Sequence, residues 1–203
     1  MELKGWRHSA TWTYLIVLVA SVVALYVSFI LSAETLQLAR NPHGSLGCDV
    51  NAVISCSDVA HSWQAEIIKF AGLSFPNAFF GIAAESVFVT VAVIGLSHVI
   101  VPRWFAAATW CGGAVAVIYA TWLFTQSAFV IEALCPWCML LLVSTWFQFM
   151  ALSHATYAIQ KLPRKTSGLF TYYHLNLDLL VDLIIFVVIA AIIVFKYGTT
   201  LFA

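Results

Sequence analysis

Cys135-Pro136-Trp137-Cys138 opens an almost wholly apolar run from Met139 to Met150, and the rest of the chain is read outward from it. Pro136 suits the first position of a helix, where its missing N–H would have had no partner. That predicts Cys135 near the N-cap and Cys138 in the first turn, where unpaired N–H groups and the helix dipole favour a thiolate. The apolar run that follows is a helix able to enter a bilayer. Two thiols at this spacing can close a small ring and open it again, so the stretch places a redox pair where water meets lipid. A C-x-x-C alone also fits a zinc knuckle, so its surroundings must decide.

The chain has 203 residues, 63% of them hydrophobic and 9% charged. A soluble domain runs roughly 45–50% apolar and about 25% charged, so this is an all-α polytopic membrane protein. The formal net charge of zero gives a nucleic-acid or acidic-substrate partner nothing to act on. A spanning helix needs about 20 mostly apolar residues. Candidates fall at about 11–33, 77–100, 103–126, 136–159 and 175–197, with a long polar loop over 34–76 between the first two. Residues 1–203 are expected to form a single transmembrane domain. The first apolar run follows Lys4 and Arg7 without an obvious small-residue cleavage site, and reads as a retained anchor. No internal repeat or low-complexity segment is visible.

Orientation follows from Lys and Arg. An inner N-terminus puts Lys4, Arg7, Arg103, Lys161, Arg164 and Lys165 in the cytoplasm and leaves only Arg40, Lys69 and Lys196 outside. Cys48 and Cys56 then lie in the outer loop, with Cys135 and Cys138 at the outer end of the fourth span. Four cysteines share the oxidising side of a cell membrane, where disulfides persist. Cys111, inside the third span, reads as a small buried apolar residue.

The loop sequence Cys48-Asp-Val-Asn-Ala-Val-Ile-Ser-Cys56-Ser-Asp-Val59, the span opening Asn77-Ala-Phe-Phe80-Gly81 and the later C-P-W-C together resemble the vitamin K epoxide reductase family. The resemblance covers the first through fourth spans. It implies a four-helix transmembrane bundle around a quinone, with the loop cysteines over its outer mouth. The fifth span agrees with bacterial relatives, some of which continue into a thioredoxin-like domain. None is expected after Ala203, so the thioredoxin-like partner is expected to be a separate extracytoplasmic protein. The implied activity is thiol–disulfide oxidoreduction. Electrons pass from that partner through Cys48/Cys56 and Cys135/Cys138 to a menaquinone- or ubiquinone-type acceptor, supporting disulfide formation in exported proteins. By the same resemblance Cys135 exchanges with Cys56, Cys138 faces the quinone ring, Asn77 donates to a quinone carbonyl, and Phe80 lines the pocket. Val59 and Ser57 belong to a loop helix capping it. Where the human relative has a tyrosine four residues beyond the second C-x-x-C cysteine, this chain has Leu142, which counts against turnover of vitamin K epoxide.

The residues themselves support a relay. Gly44, Ser45 and Gly47 free the chain ahead of Cys48 to move, whereas a C-x-x-C on a helix is fixed. Asn77 has an ordinary alternative role as a helix N-cap after Pro76. His8, His43, His61, His98, His154 and His174 stand at span ends or in loops, with no mid-membrane pair for haem. Asp178 and Asp182, four apart, open the last span near an interface, and the sequence assigns them no role. Trp63 and the segment Trp63–Phe70 look amphipathic and interfacial.

Three rival readings remain. The four-helix quinone-linked disulfide oxidases share this logic but carry their C-x-x-C in the first outer loop. Four outer cysteines could bind structural zinc, although the spacing of Cys48 and Cys56 is unusual for it, and no metal is expected. A non-enzymatic membrane protein stapled by two structural disulfides is the third.

Overall fold

The computed structural model describes residues 5–42, 44–51, 53–162 and 167–201. Helix α1 spans Ala10–Arg40, with Ser9 as its N-cap: the Ser9 Oγ accepts from the Trp12 N–H at 3.2 Å. At 31 residues it is about 46 Å long, well beyond a hydrocarbon core of about 30 Å. It therefore continues seven residues past the expected limit at Ala33. The stretch from Glu34 to Arg40 is more polar but rich in good helix formers, Ala39, Leu36 and Gln37 among them. The extension carries Glu34 and Leu38 to the cysteines.

Beyond α1 the loop forms a one-turn helix α2 (Cys56–Ala60), a tight turn over Trp63–Ala65, and a hairpin of β1 (Ile68–Phe70) and β2 (Leu73–Phe75). The hairpin corrects the amphipathic reading of Trp63–Phe70. Ala71 and Gly72 both take positive φ, at 51° and 78°, as a two-residue hairpin turn requires. Helices α3 (Asn77–Leu96), α4 (Arg103–Gln126, continuing as a π turn to Ile131) and α5 (Pro136–Ala158) complete a four-helix bundle. After α6 (Ser167–His174) comes α7 (Leu177–Leu201). Among the described residues, five helices are long and apolar enough to cross a membrane.

Helix α1 packs against both α3 and α5, and α4 closes on α5. Small residues set the α1–α3 approach: a Cβ on Gly81 would stand 2.6 Å from the Ser28 Oγ, and one on Gly95 would run into the Tyr14 ring. Val17, Ala24, Val27, Ala92 and Leu152 are buried at these seams. Helix α7 leans chiefly on α5 and leaves Leu179, Leu183, Val187 and Phe195 exposed. Cys111 is exposed on α4, not buried as expected. A cysteine's small apolar side chain is as much at home facing lipid as facing protein. Of the charges used for orientation, Lys4, Arg164 and Lys165 lie outside the described residues, as does His43.

Candidate active site

Helix α5 starts as its sequence predicts. Cys135 is the N-cap, with φ −96° and ψ 119°, and Pro136 is the first helical residue. The Cys138 N–H donates to the Cys135 Sγ at 3.3 Å. The side-chain hydrogen bond from Cys138, with this backbone bond, holds the Cys135 thiol below its ordinary pKa, against the opposing effect of burial. Cys135 is 1% exposed, while Cys138 is partly accessible one turn further in.

Cys48 and Cys56 form a disulfide, with Cα atoms 5.8 Å apart. Cys56 is 2% exposed, and its Sγ lies 3.3 Å from the Cys135 Sγ. That separation falls within the range of about 3–3.5 Å from which bonds form. The juxtaposition has a backbone cause. The Leu134 N–H donates to the Val53 carbonyl at 2.7 Å, and the Ser55 N–H donates to the Leu134 carbonyl at 3.2 Å. This parallel bridge laces the residues before Cys56 to the residue before Cys135. Leu38 from α1 and Leu46 from the loop are buried around the sulfurs, and Leu31, Val59 and Trp137 pack against them.

Asp49 organises the loop between the two disulfide cysteines. Its carboxylate accepts from the Leu46 N–H at 2.7 Å, the Cys56 N–H at 2.8 Å, the Ser57 N–H at 3.0 Å and the Ser57 hydroxyl at 2.5 Å. Burial disfavours its charge, but the bonds from Ser57, Leu46 and Cys56 outweigh that and bring its pKa from 3.8 to about 2. The segment expected to move ahead of Cys48 is thus anchored at Leu46. Glu34 reaches the same place from α1: its Oε1 is 3.3 Å from the Cys48 Sγ, and Trp137 faces its carboxylate. Glu34, Cys48 and Cys56 offer ligand atoms within 4.8 Å of one another, but the closed disulfide leaves no thiolate there to hold a metal.

The expected quinone residues divide. Val59 lies on α2 against the cysteine cluster. Asn77 is the first residue of α3, not its N-cap, which is Pro76. Its Nδ2 donates to the Gln64 carbonyl at 2.5 Å, and its side chain faces the Tyr119 hydroxyl. Tyr119 stacks on Trp122 with ring centroids 5.8 Å apart, and Trp63 meets Trp122 edge-on at 6.2 Å. Phe80 follows Asn77 by one turn and is 44% exposed. Leu142 is buried with Phe124 and Ala128 in an apolar cluster. Asp49, Glu34 and Tyr119 were missed by the sequence reading. Asp49 adjoins Cys48, but its partners lie up to eight residues away, and Tyr119 reaches Asn77 only through the fold.

Two cysteine pairs in contact, one closed and one open, can exchange two electrons with no other group between them. Held at one end of a bundle of apolar helices, they define the class: a membrane thiol–disulfide oxidoreductase. The chain belongs to the vitamin K epoxide reductase family, whose family model matches residues 15–153, from within α1 to near the end of α5. Comparison with curated proteins gives no match.

Proposed function

We propose that this chain oxidises a reduced thioredoxin-like protein outside the cytoplasm and delivers the electrons to a membrane quinone, so that exported proteins acquire disulfides. The observation that carries the reading is the 3.3 Å contact between the sulfurs of Cys56 and Cys135. With Cys48–Cys56 closed and Cys135 and Cys138 as thiols, the electrons sit on the inner pair.

The cycle balances through thiols alone until the acceptor. A thiolate of the partner attacks Cys48, and the bond to Cys56 breaks. The Cys56 thiolate attacks Cys135 of an oxidised Cys135–Cys138 pair, and Cys138 leaves as a thiolate. The partner's second thiol then displaces Cys48, closing the partner's disulfide. Cys48 in turn attacks Cys56, restoring the loop disulfide and freeing Cys135. Each round moves two electrons inward. The lowered pKa of Cys135 makes it a good leaving group in that last step.

A quinone's carbonyls and flat ring suit the residues at the same end of the bundle. Asn77 carries two amide N–H donors, Tyr119 a hydroxyl, and Trp63, Trp122 and Phe80 supply aromatic faces. A bound quinone supplies the sink for two electrons and two protons. Asn77 and Tyr119 would orient it, and the Leu38, Leu46 and Val59 cluster keeps water from the sulfurs. The Lys and Arg bias supports an inner N-terminus and outer cysteines.

The test is quinone reduction by purified protein with a reduced thioredoxin-like donor, for wild type and Cys138→Ala. Turnover lost in the variant supports the route. No turnover with any benzoquinone or naphthoquinone, in folded protein, would favour a structurally stapled membrane protein.

A further inference from the structure

The end of the bundle away from the cysteines holds a polar network that the relay does not use. His154 lies 19 residues along α5 from Cys135, roughly 29 Å away at helical rise. Its Nδ1 is 2.7 Å from the Asp178 Oδ2, and its Nε2 is 2.8 Å from the His8 Nδ1. The two contacts are compatible in direction: the His8 Nδ1–H can donate to the His154 Nε2 while the His154 Nδ1–H donates to Asp178. The Arg7 guanidinium adds a bond to each Asp178 oxygen at 3.2 Å and another to the Asn176 side-chain carbonyl. Arg7 and Asp178 therefore cancel in charge, and their hydrogen-bonding capacity is largely used.

Asp182 is left over. It lies one turn further along the same face of α7 and is 6% exposed, and its Oδ1 is fully enclosed with no hydrogen-bond partner among the described residues. It lines a cavity of about 350 Å³ between α1, α5 and α7. Trp12, Ile16, Phe147 and Leu179 form apolar walls, and Trp6 and Arg7 stand at its edge. Trp6 is largely exposed and meets Trp12 edge-on at 4.6 Å, in the manner of an aromatic interface anchor.

We infer that this cavity binds the headgroup of an aminophospholipid, with its primary ammonium donating to the Asp182 carboxylate. The chemistry is set by what the cavity offers. With Arg7 bonded to Asp178, the enclosed Asp182 oxygen is the acidic acceptor of the cavity left without a donor among the described residues, and a cationic N–H donor both fills that bond and favours the ionised carboxyl. A primary ammonium has three N–H donors for the enclosed oxygen, whereas a quaternary trimethylammonium has none. Trp6 and Trp12 also line the cavity, which places aromatic rings beside a bound ammonium. The apolar walls along Ile16, Phe147 and Leu179 suit the glycerol and upper acyl chain. The site is independent of the quinone reading and stands whether or not that reading holds.

The experiment is native mass spectrometry of the delipidated chain offered equimolar phosphatidylethanolamine and phosphatidylcholine of identical acyl chains. The two headgroups differ in the ammonium alone, which carries protons in one and methyls in the other. Wild type is expected to retain the ethanolamine lipid about tenfold over the choline lipid, the factor that one charge-assisted hydrogen bond supplies. Asp182→Asn is expected to bring the ratio near one. Equal retention by wild type overturns the proposal, and that arm does not depend on the variant folding. A preference that survives in folded Asp182→Asn also overturns it. Displacement of the bound lipid by millimolar soluble ethanolamine would reassign the site to a free amine and refute the lipid source.

Discussion

Replacing Asp49 by asparagine tests whether the loop disulfide is held in register by one carboxylate. The wild-type side chain takes four short hydrogen bonds, from the N–H groups of Leu46, Cys56 and Ser57 and from the Ser57 hydroxyl. An asparagine keeps one acceptor oxygen, which can serve Cys56 and Ser57, and turns an NH2 toward Leu46 and the Ser57 hydroxyl. Hydrogen bonds to charged groups contribute about 1.5–3 kcal/mol each when removed singly. Asp49 is only partly buried, so solvent screening holds the total toward the lower end, about 2 kcal/mol. That corresponds to a roughly 30-fold shift in the local opening equilibrium. The assay is amide hydrogen exchange at Leu46, Cys56 and Ser57 in detergent or nanodiscs. Because the folded pKa of about 2 lies below the ordinary 3.8, the wild-type stabilisation is fully present above about pH 4 and is lost as pH falls toward 2. The Asp49→Asn protein should show neither the protection nor its acid dependence. Exchange within twofold of wild type at all three amides would refute the reasoning.

Gly95→Ala should lower stability by about 1–3 kcal/mol, because its Cβ would displace the Tyr14 ring from its bond to Gln160. Gly112→Ala, whose Cβ meets only the Phe88 ring edge at 3.8 Å, should be neutral or stabilising in the same thermal melt. Asn77→Ala and Tyr119→Phe should each raise KM for quinone, by about tenfold and somewhat less, while leaving exchange between the cysteine pairs unchanged. Steady-state titration beside a gel assay of the disulfides separates the two effects. With outer cysteines, a membrane-impermeant maleimide on intact cells should label Phe70→Cys and spare Trp104→Cys. Both residues are more than two-thirds exposed, at opposite ends of the bundle. The reverse pattern would invert the topology.

The helix that carries Cys135 and Cys138 was legible because proline, thiols and an apolar run all bear on one local geometry. Where hydropathy was the only guide, boundaries slipped: it reports entry into lipid, and α1 outruns the lipid on residues of high helix propensity. The β1–β2 hairpin carried its signal in Ala71-Gly72, but three-residue strands are too short for alternation to show. His8 and His154 stood at separate span ends in the sequence, 146 residues apart, and only the packing of α1 on α5 brings them together. The exposure of Cys111 was unreadable for a related reason. A membrane helix is apolar on every side, so composition does not tell its inner face from its outer one.

Cys56 and Cys135 are proposed as the residues through which the two pairs exchange. In Cys138→Ala protein, the Cys135 thiolate can attack Cys56 and release Cys48, with no further resolution inside the helix. After acid quench and alkylation, peptide mass spectrometry should find Cys56 linked to Cys135 and Cys48 alkylated. A link from Cys48 to Cys135, or an intact Cys48–Cys56 bond with Cys135 free in folded protein, would contradict the account.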